Sequence, residues 1–127
     1  MKIAVDAEPC CVRVKGDPAR LEQVVSNLLS NAVGHSPDGT TVSVKLETMG
    51  RWARIDVEDQ GSGIPPELLP HVFEPYRQDT SGTGLGLGLA IVRQLVDLHG
   101  GYVEAHSAGV GHGARFTVML PAGHQDG

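Results

Sequence analysis

The spacing of apolar residues predicts two amphipathic helices. The first begins after Asp17, a suitable N-cap, with Pro18 at its first position, and it ends near Gly34. A second helix is predicted over residues 86–99, where Gly100 and Gly101 end it. In both segments apolar residues recur every three to four positions. In the first helix they are Leu21, Val24, Val25, Leu28, Leu29 and Ala32, and in the second Leu89, Ile91, Val92, Leu95, Val96 and Leu98.

Alternation of apolar and polar residues predicts the strands. They cover residues 2–6, 11–15, 41–47, 52–58, 102–106 and 114–120. Met49 and Gly50 lie between two of them and predict an antiparallel hairpin, and a brief helical stretch is predicted over residues 66–72. This order favours an α+β fold, a two-layer α/β sandwich with a mixed sheet and the helices on one face. The domain is expected to span residues 1–122, with residues 123–127 as a tail.

Composition limits the classes of function. The chain has 127 residues, enough for one domain with its own core, and no apolar run approaches the roughly 20 residues of a membrane span. A net charge of -5 with ten scattered Lys and Arg residues disfavours nucleic acid as a partner. Cys10 and Cys11 are adjacent, which suits neither a relaxed disulfide nor a CxxC metal clip. We therefore expect a reduced, cytoplasmic setting and a monomeric isolated domain.

Two asparagines one helical turn apart are the first candidate site. Asn27, Asn31 and His35 follow each other at intervals of four residues and so share one edge of the first helix. An asparagine amide oxygen is a hard, neutral ligand that suits Mg²⁺. Asparagines in a helix are more often solvated, so the metal prediction depends on the motifs that follow.

Two glycine-rich segments supply that context. Asp59, Gly61 and Gly63 follow a predicted strand; the carboxylate can accept a hydrogen bond from an exocyclic amine, and glycines let the backbone approach a flat base. Residues 82–88 contain four glycines at alternate positions leading into the second helix, a pattern that favours phosphate binding. The chain has no Gly-Lys-Ser/Thr, so this is not a Walker loop. Taken singly, the first segment could be a capped turn and the second a linker.

In order, these motifs resemble the ATP-binding catalytic domain of sensor histidine kinases, in the Bergerat-fold superfamily that includes gyrase, Hsp90 and mismatch-repair ATPases. The resemblance covers nearly the whole chain. Its four boxes are the N box at residues 27–36, the first glycine box at 59–63, the F box at 73–76 and the second glycine box at 84–91. It implies a domain that binds Mg-ATP and donates the γ-phosphate to a histidine elsewhere, in two-component signal transduction.

The resemblance also implies residue roles. Asn31 would coordinate the Mg²⁺ that bridges the ATP phosphates, and Asn27 would support phosphates or metal. Asp59 would bind the adenine amino group, and Phe73 would anchor a lid that extends to the second glycine box. Where many relatives have a cation this chain has Gly34, and His35 is expected to replace it in part. The other residues expected around the nucleotide are Gly61, Gly63, Ile64, Arg77, Thr83, Gly84, Leu85, Gly86, Leu87 and Gly88.

The identity of residue 27 favours phosphotransfer over hydrolysis. The resemblance implies that gyrase-like ATPases have a glutamate at this position, which acts as general base. The Asn27 amide cannot take a proton. None of the six histidines has the context of a phosphoacceptor. The expected partners are therefore a helical dimerisation and phosphoacceptor domain of the same parent, which could be membrane-anchored, and a downstream response regulator. Two alternatives stay open: a serine kinase of the anti-sigma type, and a nucleotide-binding module with degenerate catalysis, which Gly34 and a short lid would favour.

Overall fold

The computed structural model describes residues 2–7, 17–37, 39–74, 88–109 and 111–121, and within them five strands form one mixed sheet. The order across the sheet is residues 2–7, 41–49, 52–59, 114–121 and 102–106; the first two strands are parallel, and the other neighbours are antiparallel. The strand predicted at residues 11–15 lies outside the described residues. The elements are β1 (Lys2–Ala7), α1 (Pro18–His35), β2 (Thr41–Met49), β3 (Trp52–Asp59), a 3₁₀ helix (Leu69–His71), α2 (Gly88–Leu98), β4 (Tyr102–His106) and β5 (Ala114–Pro121).

Local signals set the ends of α1. Asp17 Oδ1 accepts a hydrogen bond from the Ala19 backbone N–H at 3.0 Å, which satisfies one of the donors that a helix leaves unpaired at its beginning. At the other end, the Ser36 hydroxyl donates to the Ala32 carbonyl at 2.7 Å. The predicted beginning is confirmed, and the helix ends one residue beyond the predicted Gly34.

Glycine and proline determine the backbone conformation of the β2–β3 hairpin and of the segment after β3. Met49 pairs with Trp52 across a two-residue turn in which Gly50 has φ of 62°, the left-handed conformation that such turns require. The helical stretch predicted over residues 66–72 is wrong in extent: turns occupy most of it, and only Leu69–His71 forms a 3₁₀ helix. Pro70 has no backbone N–H to donate, so it does not favour a longer helix.

Both helices pack on one face of the sheet, as predicted, and the core lies between the two layers. The helices contact each other with Asp17 beside His99 and Asn27 beside Gly88, so they run antiparallel. No helix among the described residues is long and apolar enough to cross a bilayer. The largest fully buried apolar side chains are Val24 and Leu28 of α1, Leu89, Val92 and Val96 of α2, and Val42, Val57, Val118 and Leu120 of the sheet.

The opposite face of the sheet carries a buried polar pair. The Thr117 hydroxyl, 1% exposed, donates to Asp56 Oδ1 at 2.5 Å, and Arg54 Nε donates to Asp56 Oδ2 at 2.9 Å. The hydrogen bond and the charge of Asp56 raise the pKa of the Arg54 guanidinium above its ordinary value. Nearby, the rings of Trp52 and Tyr102 meet edge to face, 5.4 Å apart. The alternation that predicts β3 does not show that Asp56 is buried on this face.

Candidate nucleotide-binding site

Asn27 connects the N box to the beginning of α2. Its side-chain nitrogen donates to the Gly88 backbone carbonyl at 3.3 Å. A carbonyl oxygen can only accept, so the nitrogen of the amide is fixed at this contact. The structure therefore brings together Asn27 and the described end of the second glycine box. Arg77, Thr83, Gly84, Leu85, Gly86 and Leu87 lie outside the described residues.

Asn31 lies one turn further along α1 and is only 6% exposed. No hydrogen bond joins its side chain to another residue in the described part of the chain. Its amide nitrogen and oxygen are not fully buried, so the polar end of this otherwise covered residue stays open to water or to a bound ligand. His35 is the last residue of α1, and its side chain lies outside the described part.

Asp59 is the last residue of β3 and is 4% exposed. Its Oδ1 accepts a hydrogen bond from the Gly61 N–H at 2.9 Å, a local turn that fixes the orientation of the carboxylate. This end of β3 also borders a polar cleft of about 400 Å³ on the sheet face opposite the helices, where Thr41, Ser43 and Glu58 alternate with the core residues Val42 and Val57. The cleft is lined by Thr41, Ser43, Glu58, Asp59, Gln60, Gly111, His112 and Gly113.

A second loop supports the loop that follows Asp59. We call residues 60–64 the base loop, and residues 107–109 with 111–113 the supporting loop. Backbone hydrogen bonds join them: Gly111 N–H donates to the Ser62 carbonyl at 2.6 Å, and Gly113 N–H donates to the Gly61 carbonyl at 3.2 Å. In the sequence, the supporting loop is recognisable only as the segment between the strands predicted at residues 102–106 and 114–120.

The two loops approach so closely that glycine is required on both sides. Gly63 has φ of 76°, and a Cβ there would lie 2.1 Å from the Gly109 carbonyl oxygen. Gly113 has φ of 71°, and its Cβ would lie 2.3 Å from the Asp59 carbonyl oxygen. Neither position accepts a side chain without movement of backbone, which explains in physical terms why glycine stands at residue 63 of the first box and at residue 113 of the supporting loop.

Ile64 and Phe73 belong to the body of the domain. Ile64 is 8% exposed and lies in the core cluster. Phe73 packs against that cluster, with its ring edge to face with Phe116 at a centroid distance of 6.1 Å. From this anchored position the chain continues into residues 75–87, which lie outside the described part. The packing supports the anchoring role expected of Phe73.

Together, the two-layer sandwich, the paired asparagines and the glycine-bordered carboxylate define an ATPase domain. The chain belongs to the histidine kinase-, DNA gyrase B-, and HSP90-like ATPase family, whose model matches residues 16–124. The resemblance predicted from the four boxes is confirmed.

The relatives are larger proteins. Sensor histidine kinase CusS of Escherichia coli (strain K12) is 43% identical over 115 residues, which are 87% of this chain and 24% of CusS. The circadian input-output histidine kinase CikA of Synechococcus elongatus is 43% identical over 112 residues, covering 84% of this chain and 15% of CikA. This chain therefore spans about a quarter of the length of CusS, and less of CikA.

Solved structures agree with the fold. The mycobacterial sensor histidine kinase MprB superposes with a TM-score of 0.86 at 36% identity, covering 95% of this chain and 83% of that chain. Full-length ShkA in complex with AMPPNP superposes with a TM-score of 0.81 at 31% identity, covering 95% of this chain and 25% of that chain.

Proposed function

We propose that this domain binds Mg-ATP and donates the γ-phosphate to a histidine on a separate helical dimerisation and phosphoacceptor domain of its parent. The transfer would serve two-component signalling, with a response regulator downstream. The observation that carries the proposal is Asn31: the residue is only 6% exposed, its amide stays accessible and makes no hydrogen bond among the described residues, and it lies one helical turn from Asn27. The names of the relatives, sensor histidine kinases, support the same function.

The residues present fit the nucleotide and its metal ion. The Asn31 amide oxygen would hold Mg²⁺, which prefers a few protein oxygens and completes its shell with water and phosphate oxygens. When bound, the ion would neutralise charge on the transferred phosphoryl group. Asn27 and the amino end of α2, which like any helix beginning favours anions, would lie on the phosphate side. Asp59, whose carboxylate is oriented by the Gly61 N–H, would accept a hydrogen bond from the adenine amino group.

Transfer is favoured over hydrolysis because residue 27 offers no base. Its amide nitrogen is engaged with the Gly88 carbonyl, and an amide oxygen does not take a proton from water at neutral pH. A nucleophile that arrives already basic, such as a neutral imidazole, needs no such base. No observation on the described residues favours the serine kinase or the degenerate module. The domain bounds of 1–122 and the cytoplasmic setting stay predictions.

Calorimetric titration tests the binding step. Wild-type domain should bind ATP saturably with Mg²⁺ present and more weakly with EDTA, and Asn31→Ala should lose most of that difference. Asp59→Asn keeps the shape of the side chain but replaces one acceptor oxygen with a donor NH₂ group. It should weaken ATP binding roughly tenfold to a hundredfold. Ser30→Ala, at an exposed position of the same helix, is the control and should bind normally. Absence of saturable binding by wild type at millimolar Mg-ATP would refute the proposal.

Radiolabelling tests the transfer step. The domain is incubated with γ-labelled ATP, alone and with the phosphoacceptor domain of its parent. We expect label on the acceptor domain and none on this chain. Strong labelling of this chain alone would contradict the division of the enzyme into two parts, even if nucleotide binding were normal.

A further inference from the structure

We infer that Ser107 is a positioning residue of the nucleotide site: its hydroxyl group fixes the base loop and thereby the presentation of Asp59 to the adenine. The inference rests on the proposed function and assigns a role to a residue in the supporting loop. Ser107 immediately follows β4, so it is attached directly to the sheet.

The Ser107 hydroxyl joins three points of backbone. It accepts a hydrogen bond from Ile64 N–H at 3.0 Å and another from Gly109 N–H at 3.2 Å, and its proton is donated to the Gly113 carbonyl at 2.8 Å in preference to the Gly109 carbonyl, which lies further away at 3.4 Å. A hydroxyl group has one proton and two lone pairs, and these three bonds use all of them. The side chain is part-buried and acts as a junction between the base loop and both halves of the supporting loop.

This junction fixes the far end of the base loop. The near end leaves β3 at Asp59, whose carboxylate is bonded to Gly61. The far end is Ile64, whose side chain enters the core and whose N–H is held by Ser107. Without the hydroxyl, Ile64 N–H and the Gly113 carbonyl lose their partner, and Gly113 is the residue whose own N–H holds Gly61. The disturbance therefore reaches the turn that orients Asp59.

The expected effect is specific to the base side of the site. The metal side depends on α1 and α2, which are joined by the contacts of Asn27 with Gly88 and of Asp17 with His99; in the described part of the chain no hydrogen bond links either helix to the supporting loop. A residue that acts through Asp59 should lose its influence on ATP affinity once residue 59 no longer accepts a hydrogen bond from the adenine amino group. A residue that only stabilises the fold would weaken binding by the same factor whether or not Asp59 is present.

A double-mutant cycle tests this distinction. Mg-ATP affinity is measured for wild type, Ser107→Ala, Asp59→Asn and the double variant, with Ser107→Thr as the variant that keeps the hydroxyl. We expect Ser107→Ala to weaken binding roughly tenfold in the wild-type background, and less than about twofold in the Asp59→Asn background. Ser107→Thr should recover most of the lost affinity. If Ser107→Ala does not fold, Ser107→Cys, which keeps the shape and weakens both hydrogen-bonding functions, replaces it in the cycle.

Each outcome of this cycle supports or overturns the inference. Equal weakening in both backgrounds, or no weakening in the first, would overturn the inference while leaving the proposed function intact. Failure of the wild-type domain to bind Mg-ATP would instead refute the proposed function, and the role of Ser107 with it.

Discussion

Gly63→Ala should destabilise the domain far more than an ordinary glycine substitution. Two costs add. Alanine at φ of 76° takes the left-handed conformation, which costs about 1–2 kcal/mol for an L-residue. Its Cβ would also lie 2.1 Å from the Gly109 carbonyl oxygen and 3.2 Å from the Gly111 nitrogen, so backbone of the supporting loop must move. Overpacking of this kind costs about 1–3 kcal/mol, which brings the expected loss to roughly 2–5 kcal/mol.

Gly50→Ala is the matched control. Gly50 has a similar φ of 62° in the β2–β3 turn, but a Cβ there meets nothing within 4 Å, so only the conformational cost of about 1–2 kcal/mol applies. Urea unfolding monitored by circular dichroism gives both losses, and an unchanged slope with denaturant shows that the folded state is still compact. If the two variants lose the same stability, the close approach of the base loop to the supporting loop is not present in solution.

Two further predictions concern hydrogen bonds remote from the glycine boxes. His99 Nδ1 lies 2.7 Å from the Leu95 carbonyl, which can only accept, while Nε2 accepts the Asp17 N–H at 3.2 Å; we therefore expect the Nδ1–H tautomer. Its ¹⁵N imidazole shifts should show this tautomer, and those of the Nε2–H form would contradict the contact between the helix ends. For the buried pair on the other sheet face, a cycle of Asp56→Ala and Thr117→Val should give a coupling of about 1.5–3 kcal/mol, because the acceptor is charged. A coupling near zero in urea unfolding would show that water replaces the bond.

Much of the fold follows from local signals in the sequence. The cap at Asp17 and the proline after it locate the beginning of α1, and the alternation of residues locates β2 to β5. The parallel pairing of β1 with β2 could not be predicted in this way, because α1 lies between them in the chain and paired residues such as Ile3 and Val42 are far apart in sequence. Pairing partners so far apart in sequence are chosen by tertiary packing, which no local pattern encodes.

The candidate site divides in the same manner. Residue type, spacing and family resemblance all indicate Asn31 and Asp59 as site residues, and their roles stay predictions. Gly113 and Ser107 could not be predicted, since a glycine-rich turn after a strand has the same composition whether or not it supports another loop. The close approach of the two loops is seen only in the structure, where a Cβ on Gly113 would lie 2.3 Å from the Asp59 carbonyl oxygen.

The site therefore depends on two separate supports. Asn27 and Gly88 join the antiparallel helices at one end and Asp17 and His99 join them near the other, so rotation of α1 about its axis must break one contact or the other. This pair of contacts fixes Asn31 relative to α2, whereas the position of Asp59 depends on the sheet and the supporting loop. Because the two supports share no hydrogen bond among the described residues, damage to one should leave the other in place. Loss of metal dependence and loss of base recognition should consequently be separable by substitution, which would not hold if one continuous network positioned the whole nucleotide.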